Sequence, residues 1–142
     1  VSCGIGRRQW HESESDLLNE QGVAIAISRA WRVIPVKLPV EFRVDYALFR
    51  GEDIKAWAEV KCRRVERQKY PTYIVSLAKV KAGQRLALAH GVPFLLVVQW
   101  ADATGWVIPT LDDVRVGGRR DRGESLDIEP MVHIPISSFK RL

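Results

Sequence analysis

Two acids and an amine stand close together on short apolar runs of this chain. In AWAEVKCRR, residues 56–64, Glu59 and Lys61 are two positions apart inside a stretch that reads as a strand. Side chains alternate across a strand, so Glu59 and Lys61 leave it on one face with Lys55 and Trp57, while Ala56, Ala58 and Val60 leave on the other. A second acid, Asp45, lies in the preceding run FRVDYALF, residues 42–49. With a hairpin loop of three residues, Gly51 to Asp53, Asp45 falls directly across from Glu59, their Cβ atoms roughly 5 Å apart. A loop of two or four residues turns Asp45 to the other side.

Two carboxylates that close repel each other, and burying them unpaired is costly. A divalent cation between them removes that cost, and a few hard oxygen ligands describe a magnesium site. Lys61 beside it can position or deprotonate a water held by the metal, and the two positive charges together would stabilise charge developing on a phosphodiester. A third acid comes from an earlier segment. Leu17, Glu20, Ala24, Ile27 and Trp31 share one helical stripe, which places Glu20 on the apolar face where it needs a partner. Glu14 is the alternative should that helix be shorter. An acid-x-lysine triplet alone is weak evidence, and Asp53-Ile54-Lys55 is a second copy. That copy begins in the turn, whereas Glu59 is mid-strand among apolar neighbours, and this context selects Glu59.

The elements that must position these groups follow from pattern and punctuation. Ser13 and Asp16 open the first helix like a capping pair. Gly22 and the strand-like GVAIAI leave a stop near Gln21 open. Pro35 and Pro39 bracket a short extended piece. After the hairpin, a helix is expected from about Tyr73 to His90, with the stripe Ile74, Leu77, Ala78, Ala82, Leu86 and Ala89 and a stop at Gly91 and Pro93. FLLVVQW, residues 94–100, is apolar throughout, as in a strand covered on both faces. The second hairpin strand, the helix and this strand then make a βαβ unit with parallel outer strands. A turn at Asp102 to Gly105 leads into WVIP, and MVHIPI supplies one more strand. The fold class is α/β, a mixed central sheet flanked by helices, in a single domain over 1–142 with a core at about 13–108 and a C-terminal extension at 110–142.

Composition bounds the partners. The 142 residues suit one domain with a real core. Cys3 and Cys62 are too few for a disulfide framework or a zinc site, so an intracellular setting is expected. No apolar run approaches the length that crosses a bilayer, and VSCGIGRRQW has no long apolar core. The net charge of +5 is clustered: Lys61, Arg63, Arg64, Arg67 and Lys69 fall within nine residues, and Arg119, Arg120 and Arg122 within four. Such clusters suit a polyanion, DNA above all, while membrane binding is not indicated. Tyr70 and Tyr73 beside the first cluster could stack on unpaired bases or pack on the sheet edge.

The order helix-Glu, strand-Asp, Glu-x-Lys on the next strand, then a helix and a buried strand resembles the PD-(D/E)XK nuclease superfamily. Asp45 in RVDYAL, Glu59 and Lys61 in AEVKC, and Glu20 carry the resemblance, which covers roughly residues 16–100. Val44 stands where the eponymous proline would be. The resemblance implies a restriction-endonuclease-like core and a metal-dependent endonuclease that hydrolyses DNA, similar to small phage and microbial members and to Holliday-junction resolvases of DNA recombination. By it, Asp45, Glu59, the Val60 carbonyl and Glu20 hold Mg2+, with Mn2+ as substitute, and Lys61 orients the water. A polar residue on the second helix approaches the site in such proteins, which points to Lys79 and secondarily to Gln84. Arg63, Arg64, Arg67, Lys79 and Tyr73 are the expected DNA contacts. Resolvase action on a four-way junction would require a two-fold homodimer. The alternative is a nucleic-acid-binding module of the same fold that does no chemistry.

Overall fold

The computed structural model describes residues 14–118 and 128–142. It begins with helix α1 (Glu14–Trp31), which runs straight through Gly22. Burial of Val23, Ala24 and Ile27 on one face outweighs the roughly 1 kcal/mol that a mid-helix glycine costs. Strand β1 (Ile34–Lys37) follows, then a 3-10 turn (Val40–Phe42) that ends on Arg43 in left-handed backbone, φ 59°. The hairpin strands are β2 (Tyr46–Arg50) and β3 (Asp53–Cys62). Beyond them come β4 (Thr72–Ser76), helix α2 (Leu77–His90), β5 (Phe94–Gln99) and β6 (Thr104–Val107). The last strands are β7 (Val114–Gly118), β8 (Ile128–Pro135) and β9 (Lys140–Arg141). Among the described residues no helix is long and apolar enough to cross a membrane.

The main sheet is mixed, with order β1-β2-β3-β5-β6-β9 and with β3 and β5 parallel as the βαβ reading requires. Its two faces are covered by different helices. Ala56, Ala58 and Val60 pack with Val23 and Ile27 of α1, whereas Trp57 and Phe94 pack with Leu86 and Ala87 of α2. Glu59, by alternation, belongs to the α2 face.

Three expectations need correction. The second helix starts at Leu77, not Tyr73, because Thr72 to Ser76 form β4 and the Ser76 hydroxyl caps the helix by accepting from the Lys79 N–H. The residues α2 buries are Val80 and Gly83, so much of the expected stripe, Ala78 and Ala82 included, faces outward or is only half-buried. The hairpin loop has two residues, Gly51 and Glu52, since Arg50 pairs with Asp53. Gly51 supplies the positive φ of 61° that its place in so tight a turn requires. A β-bulge then leaves Lys55 unpaired and restores the alignment, with Leu48 opposite Ala56 and Tyr46 opposite Ala58. The acids keep the expected neighbourhood through a bulge in place of a longer loop.

A second sheet, β4-β8-β7, was not anticipated. Its inner residues Tyr73, Val75, Val132 and Ile134 share a core with Leu96, Val98 and Trp100 of the main sheet side. The C-terminal segment is therefore woven into both sheets, β8 against β4 and β9 against β6. The arginines at 119, 120 and 122 lie outside the described residues.

Candidate active site

Glu59 occupies the middle of β3 with 0% exposure, one of two acids among the buried residues described. The strand holds it there because its neighbours Ala58 and Val60 pair with Leu95 and Val97 of β5 and are themselves buried. Two ammonium groups face its carboxylate: Lys79 Nζ lies 2.9 Å from Oε2 and Lys61 Nζ 3.4 Å from the same oxygen. Neither contact has hydrogen-bond geometry, and Oε1 has no protein partner. Burial, and next the nearby charge of Asp45, push the Glu59 carboxyl up to about 7, with both lysines opposing the rise.

Asp45 stands one residue before the β2–β3 ladder begins. There the backbone has turned, and Val44 packs against Trp57 and Phe94. The Asp45 carboxylate takes over as acceptor for the strand: Oδ2 accepts from the Val60 N–H at 2.8 Å. Its own carbonyl accepts from the Leu38 N–H at 2.8 Å, which ties the turn to the end of β1. Oδ1 is 3.5 Å from Lys37 Nζ.

Glu20 is 8% exposed on α1, on the opposite side of the sheet from Glu59. Lys37 donates to its Oε1, so a single ammonium joins Glu20 to Asp45. Burial raises the Glu20 pKa, the hydrogen bond from Lys37 opposes this, and the Asp45 charge adds to the rise. The sequence reading did not single out Lys37. Its signal was slight, a lysine closing IPVK, and its meaning comes from a long-range pairing of β1 with β2 that sets Lys37 opposite Tyr46.

The structure thus brings Asp45, Glu59, Lys61 and Lys79 together and reaches Glu20 through Lys37. Glu14 lies at the start of α1, outside the residues whose side chains are described. Among the described residues no three acidic, histidine or cysteine side chains form a closed metal-holding group. Magnesium commonly takes only one or two carboxylates and keeps several waters. A buried carboxylate with an unpartnered oxygen, beside a second carboxylate, fits such an ion.

The remaining expected contacts divide. Arg63 and Arg64 are exposed beside the site. Arg63 Nη2 donates to the Tyr73 hydroxyl at 2.7 Å and its guanidinium lies over that ring. Tyr73 does not offer a face to a base: it is 5% exposed and meets Phe139 edge-on. Burial lifts its phenol to about 12. Arg67 is turned inward, donating from Nη2 to the Ile136 carbonyl at 3.1 Å and the Phe139 carbonyl at 3.4 Å. Its guanidinium holds the C-terminal segment and is not free to meet phosphate. Gln84 donates to the Pro109 carbonyl at 3.5 Å, away from Glu59, so Lys79 alone represents α2 at the site.

Residues 6–142 match the family described as "Phage putative PDDEXK endonuclease". No curated protein sequence matches the chain. Among solved structures, a similar fold is that of Hjc, a Holliday junction resolvase from the archaeal hyperthermophile Archaeoglobus fulgidus. It aligns with a TM-score of 0.60 over 87% of this chain and 88% of that one, at 12% identity. The mixed sheet with a helix on each face is the restriction-endonuclease-like fold.

Proposed function

From its membership of the phage PD-(D/E)XK endonuclease family, to which this chain belongs, we propose that the protein hydrolyses DNA phosphodiesters by in-line attack of water at Asp45, Glu59 and Lys61. The observation that carries this reading is Glu59, a wholly buried carboxylate with one unpartnered oxygen, faced by two lysines and an aspartate. Asp45, Glu59 and the Val60 carbonyl would hold a magnesium ion, with Glu20 as the additional acid. When bound, that ion supplies charge neutralisation at the scissile phosphate and a lower pKa for the attacking water.

The chain's own residues do the rest. The Val60 N–H fixes the Asp45 carboxylate, so that its orientation is set before substrate arrives. Lys79 holds the Glu59 carboxylate from the first turn of α2 and presents the remaining ammonium donors toward phosphate. Lys61, half-buried on the same face of β3, donates from its ammonium to orient the attacking water and offsets the negative charge that develops on the phosphate. Arg63 and Arg64, exposed just beyond, contact backbone phosphates, so affinity falls steeply with salt.

Branched DNA is the favoured substrate form, and a two-fold dimer the assembly that would cut it in pairs. The likeness in fold to a Holliday junction resolvase supports the first, and the need to cut a four-way junction in pairs supports the second. An intracellular setting suits such an activity. Incubation with supercoiled plasmid and a synthetic four-way junction, with Mg2+ and then with EDTA, tests the reading. Cleavage abolished by EDTA and by Lys61→Ala is expected, and undiminished cleavage by Lys61→Ala would end it.

One observation favours a rival, a nucleic-acid-binding module without chemistry: amines already neutralise Glu20, Asp45 and Glu59. Titration calorimetry with Mn2+ separates the two, since the rival gives no heat of binding.

A further inference from the structure

A groove of about 790 Å³ opens between the 3-10 turn before Asp45 and the outward side of α2. Its apolar floor is made by Phe42 with Leu77, Ala82 and Leu86. Phe42 leaves 42% of its surface in solvent. Leu77 and Leu86 also touch the core clusters, and both stay only partly buried, as does Ala82. The rim is basic: Arg43, Lys81 and Arg85 are all exposed, and none makes an ion pair or side-chain hydrogen bond among the described residues. Glu41 and Glu129 also reach it, so cations prevail by three to two.

Arg43 is one of two non-glycine residues with positive φ among those described. Left-handed backbone disfavours a residue with a Cβ, and glycine would sit there freely. The turn thus fixes Arg43 where its exposed side chain lines the groove. The groove also shares both walls with the candidate active site. Arg43 is two residues before Asp45, and Leu77 is two residues before Lys79, whose ammonium contacts Glu59.

We propose that this groove binds an unpaired DNA strand as it leaves the scissile phosphate, with a base on Phe42 and the apolar side of α2 and the sugar-phosphate chain along Arg43, Lys81 and Arg85. An aromatic ring on an apolar floor under a line of cations is the arrangement that holds single strands without reading their sequence. Duplex DNA cannot use the floor, because its bases remain stacked inside. The inference rests on the nuclease reading and gives it a source of preference for flapped or branched substrates.

Fluorescence anisotropy with a labelled single-stranded DNA oligonucleotide and its duplex, in EDTA so that nothing is cut, tests the groove directly. Phe42→Ala should weaken single-strand binding by about tenfold or more, the range for loss of one stacking partner, and change duplex binding by less than about twofold. Arg43→Gly is the control for folding. It should melt no lower than wild type, since glycine relieves the backbone, yet bind the single strand several-fold more weakly. Single-strand affinity unchanged in both variants would overturn the proposal, as would equal losses for single strand and duplex. Plasmid cleavage, scored separately, distinguishes the readings. A wild type that cuts while the variants bind the single strand normally sinks the groove alone. A wild type that never cuts while the variants lose the single strand sinks the nuclease reading and keeps the groove as a binding site.

Discussion

Lys79 reaches Glu59 from the first turn of α2, its ammonium 2.9 Å from a carboxylate that has no exposure to solvent. The second helix is thereby tied to β3 by charge as well as by packing. Removing Lys79 would leave Lys61, 3.4 Å from the same oxygen, as the one ammonium beside a wholly buried carboxylate, which is then under-compensated. Lys79→Met should therefore lower stability strongly at pH 8 and much less at pH 5, where Glu59 carries its proton. Urea denaturation at the two pH values measures this, and an equal loss at both would show that the pair is not what holds the helix.

The same carboxyl gives the wild type a pH signature. Its pKa is raised from 4.5 to about 7, chiefly by burial. The folded chain thus retains a proton that the unfolded chain releases, and the group's contribution to stability is fully present below about 4.5. It declines as pH rises toward 7, by roughly 3 kcal/mol at 1.36 kcal/mol per unit. In EDTA, Glu59→Gln should flatten this part of the stability profile and be the more stable protein at pH 8. Added Mn2+ should stabilise the wild type at pH 8 and leave Glu59→Gln unmoved in thermal melts.

Asp45 has two duties that substitution can separate. Asparagine retains a side-chain oxygen to accept from the Val60 N–H, whereas alanine leaves that donor without its acceptor, at about 1–3 kcal/mol. Asp45→Asn is expected to melt close to wild type and to cleave no DNA. Asp45→Ala should lose both activity and stability. Residual cleavage in Asp45→Asn would remove Asp45 from the ligand set.

Lys37 competes with any cation for Asp45 and Glu20, since its ammonium already joins them. The lysine is nearly half exposed, so the pair contributes at most about 1 kcal/mol. Lys37→Met should then bind Mn2+ up to roughly fivefold more tightly by calorimetry. Weaker binding would mean that the lysine assists the ion.

Gly83 sets how closely α2 lies on β5. A Cβ built there falls 2.4 Å from three atoms of the Phe94 ring, which is itself buried. Gly83→Ala should cost about 1–3 kcal/mol through overpacking. It should also lower cleavage by lifting Lys79 from Glu59, which a joint measurement of melting temperature and rate would reveal.

What the sequence made legible was mostly local. The α1 stripe carried Glu20 to the buried face, and the acid-x-lysine pattern carried Glu59 into the middle of β3, because burial follows periodicity. The second sheet was hidden for the opposite reason. Thr72 to Ser76 is rich in β-branched residues, yet its strand partner, Ile128 to Pro135, lies over fifty residues away, and no local pattern announces that pairing. Tyr73, open in the sequence to stacking on a base or packing on the sheet edge, is core on β4. Lys37 escaped notice because its meaning depends on which carboxylates the fold delivers to it.

The bulge at Lys55 carries a consequence for how this hairpin can vary. A turn longer by one residue, combined with loss of the bulge, would leave Asp45 and Glu59 neighbours, while either change alone would swing one of them away. Length in the loop and regularity in the strand are therefore bound to each other, and relatives that differ here should differ twice or not at all.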